Sequence, residues 1–128
     1  MILDTSAIVA ILMEEPGAEA VIASLQGTAP LGVGAPTLLE AAIVLSHRSG
    51  RDPFPLLERF LRELGVSVLS FEDPHWREAG QAFLRFGKGR HPAALNFGDC
   101  LTYATAKIAG QPLLCTGNDF RRTDLHLA

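Results

Sequence analysis

The sequence predicts an α/β protein, a three-layer α/β/α sandwich with a short, mostly parallel central sheet. Short apolar runs alternate with longer amphipathic ones along the 128 residues, and strands separated by helices pair in parallel through right-handed crossovers. Glycine or proline stands at the end of most segments, where these residues stop helices and form turns. No repeat or linker interrupts the alternation, so we expect residues 1–128 to form one domain, large enough to bury a core.

The first half of the chain is predicted to hold two strands and four helices. In order, these are a strand at 1–3, helices at 7–13 and 18–25, a strand at 31–35, and helices at 36–47 and 55–64. Thr5 or Ser6 is expected to cap the first helix, and Pro36 suits the first position of the third. The last of these helices places three leucines and Phe60 on one side and charged residues opposite, which is typical of a surface helix.

The second half is predicted to add two strands and two helices. In order, these are a strand at 66–70, a helix at 74–86, a helix from about 98 to 109, and a strand at 112–115. The first strand is rich in valine, and the apolar residues of the second helix recur at helical spacing. Residues 87–92 form a predicted loop rich in glycine and cations, and a turn at 116–119 follows the last strand.

The composition is that of an ordinary globular protein, with 48% hydrophobic and 20% charged residues. No apolar run is long enough to cross a bilayer. The run from Ser6 to Met13 is short and has no basic residue before it, which is unlike a signal peptide. Since Met1 already belongs to the first predicted strand, we expect no targeting segment and a cytoplasmic location.

Net charge and cysteine content narrow the possible functions. A formal net charge of −3 argues against a broad basic face for duplex DNA. It is compatible with a nuclease, because an acidic pocket can reach phosphate through bound cations. Cys100 and Cys115 do not form a CxxC pair, and we expect both to be free, buried thiols.

Four acidic residues lie where an open α/β sheet binds ligands, beyond the carboxyl ends of its strands. Asp4 ends the first predicted strand, and Asp119, preceded by Asn118, follows the last one. Glu40 lies early in the helix after the second strand. Asp99 lies in the opening turn of the helix before the last strand, and the order of elements does not force it onto the same edge.

Carboxylates gathered at one edge repel one another. Two unit charges about 4 Å apart interact by roughly 4 kcal/mol at an effective dielectric of about 20, so a shared proton or a divalent cation must offset the repulsion. Oxygen ligands without clustered histidine or cysteine suit Mg²⁺ or Mn²⁺ better than Zn²⁺. Such ions stabilise the charge that grows on phosphate during hydrolysis. The residues alone therefore predict an acidic site suited to phosphodiester hydrolysis.

Each acid also has a structural interpretation. Asp99 follows Asn96 by three residues and would complete a capping box. Glu40 is an acid in the first turns of a helix, and Asp119 would cap a short turn at 120–123. Asp4 is the hardest to explain structurally, because an acid at the end of a buried strand is costly to bury unpaired.

Four segments carry these acids in a characteristic order. They are ILDTSA at 2–7, PTLLE at 36–40, LNFGDCL at 95–101 and LLCTGNDF at 113–120. In the same order they resemble the acidic motifs of the PIN-domain family, most of all those of the VapC toxins of toxin–antitoxin pairs. The resemblance covers essentially the whole chain, and the segment around Asp99 is the most specific.

The resemblance implies a metal-dependent ribonuclease with the α/β/α fold already predicted. It implies Mg²⁺ or Mn²⁺ as the cofactor, RNA as the substrate, a homodimer, and inhibition by a cognate VapB-like antitoxin. Asp4 and Asp99 would be the principal metal ligands, and Glu40 would hold metal or orient the attacking water.

The fourth acidic position departs from the family pattern. Members often have two adjacent acids there, whereas this chain has Asn118 followed by Asp119. We favour Asp119 as the fourth catalytic and metal-binding residue, with Asn118 as an auxiliary one. The resemblance also implies that hydroxyl groups assist the carboxylates, and the candidates are Thr5, Ser6 and Thr116.

Cations before the Asp99 helix are candidates to meet RNA phosphates at the mouth of the site. Lys88 and Arg90 are the favoured pair, with Arg85 and His91 beside them in sequence. Weaker candidates are Arg48, Arg51, Arg121 and Arg122. Trp76 and Tyr103 could stack on bases, but both lie in helices and are expected to pack.

Two other interpretations stay open. One is another Mg²⁺-dependent α/β protein, but Ser6 stands where a haloacid-dehalogenase-type phosphatase has its second Asp, and Ile8 interrupts a von Willebrand A-type Asp-x-Ser-x-Ser motif. A receiver domain would need a lysine at the end of the last strand, and none is present. The other interpretation is a non-catalytic PIN-fold module that binds RNA or protein, which Asn118 would favour.

Overall fold

The computed structural model describes residues 1–27 and 29–128. Four strands form the sheet: β1 (Ile2–Leu3), β2 (Leu31–Gly34), β3 (Val66–Leu69) and β4 (Leu113–Leu114). Six helices surround it: α1 (Thr5–Leu12), α2 (Ala18–Leu25), α3 (Ala35–Ser49), α4 (Phe54–Leu64), α5 (Asp73–Phe86) and α6 (Phe97–Ala109). A 3₁₀ turn, Asp119–Arg122, follows β4. Within the described ranges, no helix has the length and hydropathy required to span a bilayer.

The four strands are all parallel and lie in the order β3-β2-β1-β4. Ile2 of β1 is opposite Gly32 on one side and Leu113 on the other. Because β2 and β3 extend the sheet in one direction and β4 returns to the other side of β1, the strand order reverses between β1 and β4. Such a reversal opens a crevice at the carboxyl ends of the strands. The predicted sheet is confirmed and is wholly parallel.

Helices cover both faces of this sheet, as predicted. Successive strand residues point to opposite faces, and the two residues of β1 illustrate this. Leu3, with no exposed surface, packs into a core built with α1, α3 and α4. Ile2, 3% exposed, packs into a second core built with α5 and α6. The central strand is therefore buried on both faces, and its carboxyl end emerges between the helix layers.

Most predicted boundaries differ from the structure by a few residues, and one difference changes the site. Asp4, rather than Thr5 or Ser6, caps α1, because the helix already begins at Thr5 and Asp4 is the single residue between β1 and α1. The side chain of Asp4 accepts a hydrogen bond from Ser6 N at 3.0 Å. The acid that ends the central strand is thus also fixed by the first turn of α1.

Candidate active site

A cleft of about 330 Å³ opens at the carboxyl ends of β1 and β4. All four predicted acids, Asp4, Glu40, Asp99 and Asp119, line it. Asp99 reaches this edge because α6 runs antiparallel to the strands and so begins at their carboxyl ends. The structure thereby brings together residues that are up to 115 positions apart in the printed sequence.

Asp4 is the most buried of the four, with 7% of its surface exposed. Its Oδ2 accepts hydrogen bonds from Ser6 N at 3.0 Å and from Ser6 Oγ at 2.6 Å. Its Oδ1 accepts a hydrogen bond from Thr102 Oγ1 at 2.9 Å. Three donors therefore compensate the buried carboxylate and hold it in one orientation.

Two buried threonines that the sequence interpretation missed support Asp4. Thr37 Oγ1 lies 3.0 Å from Thr102 Oγ1. A threonine hydroxyl has one hydrogen to donate, and Thr102 gives its hydrogen to Asp4, so Thr37 is the donor to Thr102. Thr37 and Thr102 each lie three residues from a predicted acid, on α3 and α6. That one-turn spacing is the signal that would have found them.

Ser6 links the first strand to the last loop. Its hydroxyl donates to Asp4 and accepts a hydrogen bond from Thr116 N at 3.0 Å. The backbone repeats the connection, since Asp4 N donates to Leu114 O at 3.0 Å. The auxiliary residues Ser6 and Thr116 therefore contact Asp4 or its partners and line the cleft.

Glu40 and Asp99 are each held by hydrogen bonds to a neighbouring residue that is not one of the four acids. Thr5 Oγ1 donates to Glu40 Oε1 at 2.5 Å, which joins α1 to α3. Asp99 Oδ2 accepts from Asn96 N at 3.0 Å, and Asp99 N donates to Asn96 Oδ1 at 2.9 Å. The capping box predicted for Asp99 is present, and the same carboxylate faces the cleft, so the structural and functional interpretations coexist.

The pKa of Asp99 reflects its burial and the other acids that line the cleft. Burial raises the pKa of its carboxyl to about 6, against the lowering effect of the hydrogen bond from Asn96. The negative charges of Asp119, Asp4 and Glu40 contribute to the same rise in the pKa. A proton or a cation in the cleft would relieve this repulsion.

Asp119, not Asn118, faces the cleft. Asp119 begins the 3₁₀ turn after β4 and belongs to the lining. Asn118 precedes the turn, does not line the cleft, and makes no side-chain capping bond. The geometry therefore favours Asp119 as the fourth acid of the site.

The donor set fits a hard divalent cation. The polar groups of the lining are carboxylate, hydroxyl and amide oxygens, together with the Arg48 guanidinium. Across the described residues, no group of three Asp, Glu, His or Cys side chains is already arranged to hold a metal ion. Mg²⁺ retains several waters and uses one or two carboxylates directly, so separated acids around one cleft suit such an ion.

The predicted RNA-contacting cations lie elsewhere. Lys88 and Arg90 are exposed in the loop after α5 and do not line the cleft. The Arg90 guanidinium lies 5.6 Å from the centre of the Phe83 ring. Arg48, considered a weaker candidate, does line the cleft. Its side chain is paired with Glu15.

The expectations for the other single residues have mixed outcomes. Tyr103 is fully buried as expected, and its hydroxyl donates to Asp124 Oδ1 at 2.5 Å. Cys100 and Cys115 are free thiols, as expected, but only Cys100 is buried, and Cys115 is half-buried. The expectation that Trp76 packs is wrong: 56% of its surface is exposed, beside an apolar groove between α5 and α6. Its indole N–H donates to Asp73.

A parallel sheet that reverses its order beside a cleft lined by four carboxylates matches the resemblance found in the sequence. The chain belongs to the PIN domain family, whose family model matches residues 1–125. It is 52% identical over 126 residues to Ribonuclease VapC36 of Mycobacterium tuberculosis, a match that covers 98% of this chain and 91% of the relative. The predicted VapC-like membership is confirmed.

Solved structures show the same fold at low sequence identity. One is Mycobacterium tuberculosis VapC20, described as a Sarcin-Ricin loop cleaving toxin, with a TM-score of 0.79 and 17% identity over 99% of this chain and 97% of that one. Another is VapBC2 from Rickettsia felis bound to a DNA fragment from its promoter, with a TM-score of 0.77 and 17% identity over 99% and 96%. The predicted α/β/α architecture is confirmed.

Proposed function

We propose that this chain is a metal-dependent ribonuclease and the toxin of a toxin–antitoxin pair. The observation that carries the proposal is that Asp4, Glu40, Asp99 and Asp119 all line one cleft at the switch point of the sheet. The naming of its 52% identical relative as a ribonuclease supports the choice of RNA as substrate. We further propose that residues 1–128 act as a single domain in the cytoplasm.

In this proposal Asp4 and Asp99 are the principal ligands of Mg²⁺ or Mn²⁺, and Asp119 completes the acidic set. The ion, when bound, supplies positive charge that stabilises the charge developing on the phosphate. Ser6 and Thr102 keep Asp4 oriented toward the cleft before any ligand arrives. Such preorganisation avoids the cost of ordering the group during the reaction.

Glu40 is the residue we assign to the attacking water. Thr5 fixes its Oε1, and Oε2 is left to accept a hydrogen bond from a water in the cleft. A carboxylate in that position orients the water and receives its proton. Asp119 lies among the acids whose charges act on Asp99, which supports its assignment to the metal-binding side of the cleft.

The proposal includes an antitoxin partner and a second copy of the chain. Exposed apolar side chains of the described residues supply surface of the kind that such partners bury. They include Phe97, 81% exposed, and Leu39, 58% exposed. Support for the antitoxin comes from the similarity to VapBC2 of Rickettsia felis, which was solved bound to a DNA fragment from its promoter.

The test is cleavage of mixed cellular RNA by the purified protein, with Mn²⁺ or Mg²⁺ and then with EDTA. Asp4→Asn serves as the matched control, because it keeps the shape of the side chain and removes one charge. Cleavage that needs metal and disappears in Asp4→Asn supports the proposal, whereas a contaminating nuclease would survive the substitution. A folded, antitoxin-free protein that binds Mn²⁺ without cutting any RNA would instead indicate a non-catalytic module.

A further inference from the structure

The cleft extends away from the four acids along the groove between α1 and α3. Glu40, Val44 and Arg48 are spaced four residues apart on α3 and all line the cleft, as one face of a helix does. Glu40 and Arg48 are therefore about 12 Å apart along the helix axis. Val9 of α1 lines the same stretch. The cleft thus has an acidic end, an apolar floor of two valines, and a cationic end.

Arg48, at the cationic end, is paired with an acidic residue of the same chain. Its guanidinium forms an ion pair with Glu15, which also lines the cleft. The two side chains retain 51% and 34% of their exposure. A pair so exposed to solvent contributes little to stability and exchanges partners readily.

The backbone before Glu15 holds it at this place. Glu14 follows the C-cap of α1 and has a φ of 51°, a left-handed conformation that is strained for a residue with a side chain. Glu14 N donates to Ile11 O, and Glu15 N donates to Ala10 O at 2.9 Å, which is the Schellman pattern of a helix end. This turn brings the Glu15 side chain over the groove toward α3.

We propose that Arg48 binds a phosphate of single-stranded RNA to one side of the cleavage point. In the free protein, the carboxylate of Glu15 occupies this phosphate position. The inference rests on the ribonuclease function proposed above. A phosphodiester offers two anionic oxygens, as a carboxylate does, and a guanidinium can bind both of them at once. An RNA strand with one phosphate at the acids would cross the two valines and place another phosphate at Arg48, displacing Glu15.

This assignment gives the two partners of one ion pair opposite effects. Loss of Arg48 removes a charge-assisted contact to the RNA, whereas loss of the Glu15 charge frees Arg48 and removes a repulsion. A purely structural ion pair would behave differently, because either loss would then act in the same direction.

The experiment measures binding of a fluorescently labelled, mixed-sequence RNA oligonucleotide by anisotropy, with Mn²⁺ present and Asp4→Asn as the background that prevents cleavage. We expect Arg48→Gln to weaken binding about tenfold and Glu15→Gln to strengthen it severalfold. Arg48→Lys, which keeps the charge and loses the planar fork, should lie between wild type and Arg48→Gln. The slope of log affinity against log salt should fall by about 0.7 in Arg48→Gln, the loss of one phosphate contact on a single strand.

The matched controls are Arg59→Gln and Glu63→Gln, which break an exposed ion pair on α4 outside the cleft. Neither should change RNA binding or its salt slope. With the Asp4 side chain restored, Arg48→Gln should raise KM for RNA and leave kcat nearly unchanged.

Three results would overturn the assignment. Arg48→Gln that binds RNA with wild-type affinity and salt slope would show that no phosphate sits there. Glu15→Gln that weakens binding would make the pair structural. If the unsubstituted protein cuts RNA while Arg48→Gln is indistinguishable from it, only this inference fails. If the unsubstituted protein neither binds nor cuts RNA, the ribonuclease proposal fails with it.

Discussion

The carboxylate of Glu40 fills the space that a side chain at Gly98 would need. A Cβ at position 98 would lie 2.1 Å from Glu40 Oε2 and 2.9 Å from its Cδ, both far inside van der Waals contact. Gly98 lies in the first turn of α6, directly before Asp99. The missing side chain therefore lets an acid from α3 and an acid from α6 share the cleft.

Gly98→Ala is expected to reduce RNA cleavage by about 10- to 100-fold, because a displacement of about 1 Å at a reacting group has effects of that size. The fold should remain intact, since alanine is the better helix former by roughly 0.5–1 kcal/mol. Gly80→Ala on α5 is the matched control, because a Cβ there meets nothing within 4 Å. Full activity in Gly98→Ala would show that Glu40 can act from another position.

Thr102→Val is expected to weaken Mn²⁺ binding and to destabilise the fold by about 1–3 kcal/mol. The substitution keeps the shape of the side chain but removes the donor to Asp4 Oδ1 and the acceptor for Thr37. Calorimetric Mn²⁺ titration and urea unfolding measure the two effects. Thr105→Val, on the same helix, loses only a bond to Leu101 O and should leave Mn²⁺ affinity unchanged. Equal losses of Mn²⁺ affinity in Thr102→Val and Thr105→Val would show that Thr102 contributes through packing and not through its bond to Asp4.

The contribution of Asp99 to the stability of the metal-free protein is expected to fall as pH rises from about 4 through about 6. The pKa of Asp99 is raised from its ordinary value of 3.8 to about 6 in the folded chain, so the fold favours the protonated form. The stabilisation is complete below the lower value and is lost as the pH passes the higher one. Because the carboxyl is partly exposed, the loss should be about 1–2 kcal/mol.

Urea unfolding of the wild type and of Asp99→Asn, both in EDTA across this pH range, measures the contribution of Asp99 to the free energy of unfolding. The amide does not titrate, so the variant should lack this fall. Mn²⁺ should bind the wild type more tightly above about pH 6, where it no longer competes with a proton on Asp99. Identical pH curves for the two proteins would contradict the assignment.

Asp119→Ala is expected to lower cleavage by about 10- to 100-fold, while Asn118→Ala should change it by less than about threefold. Asp119 lines the cleft and acts on the charge of Asp99, whereas Asn118 does not line it. Asp119→Asn keeps the shape of the side chain and removes its charge. It should lower cleavage about as much as Asp119→Ala does. The reverse order of effects would move the fourth position of the site to Asn118.

Hydrophobic periodicity predicted the alternation of strands and helices because burial of one face controls that pattern. It could not predict that Asp4 caps α1, since the length of the connection after β1 depends on how tightly the helix packs on the sheet. Nor could it predict the exposure of Trp76, which depends on whether another element covers α5. A helical pattern identifies an apolar face, and only the tertiary structure shows what that face contacts.

Asp4, Glu40 and Asp119 were predictable because each follows a strand, and parallel strands end at one edge. The place of Asp99 was not forced in this way, because α6 precedes the last strand.

The cation of the cleft, Arg48, was ranked below Lys88 and Arg90, although its place beside Glu40 was predictable in principle. Arg48 lies eight residues from Glu40, a spacing that returns to the same side of a helix. Lys88 and Arg90 are near Asp99 in sequence, but the loop that carries them turns back on α5, where Arg90 lies over Phe83.

The pairing of β1 with β4 has a consequence for the time at which the cleft can exist during synthesis. The bond between Ser6 and Thr116 spans 110 positions, and chains are made from the amino end. While the ribosome is still adding the final third of the chain, the first strand lacks one neighbour, and Asp99 and Asp119 have not yet emerged. A growing chain that lacks residues 99–119 therefore carries only two of the four acids, so the proposed activity cannot precede the synthesis and folding of that segment.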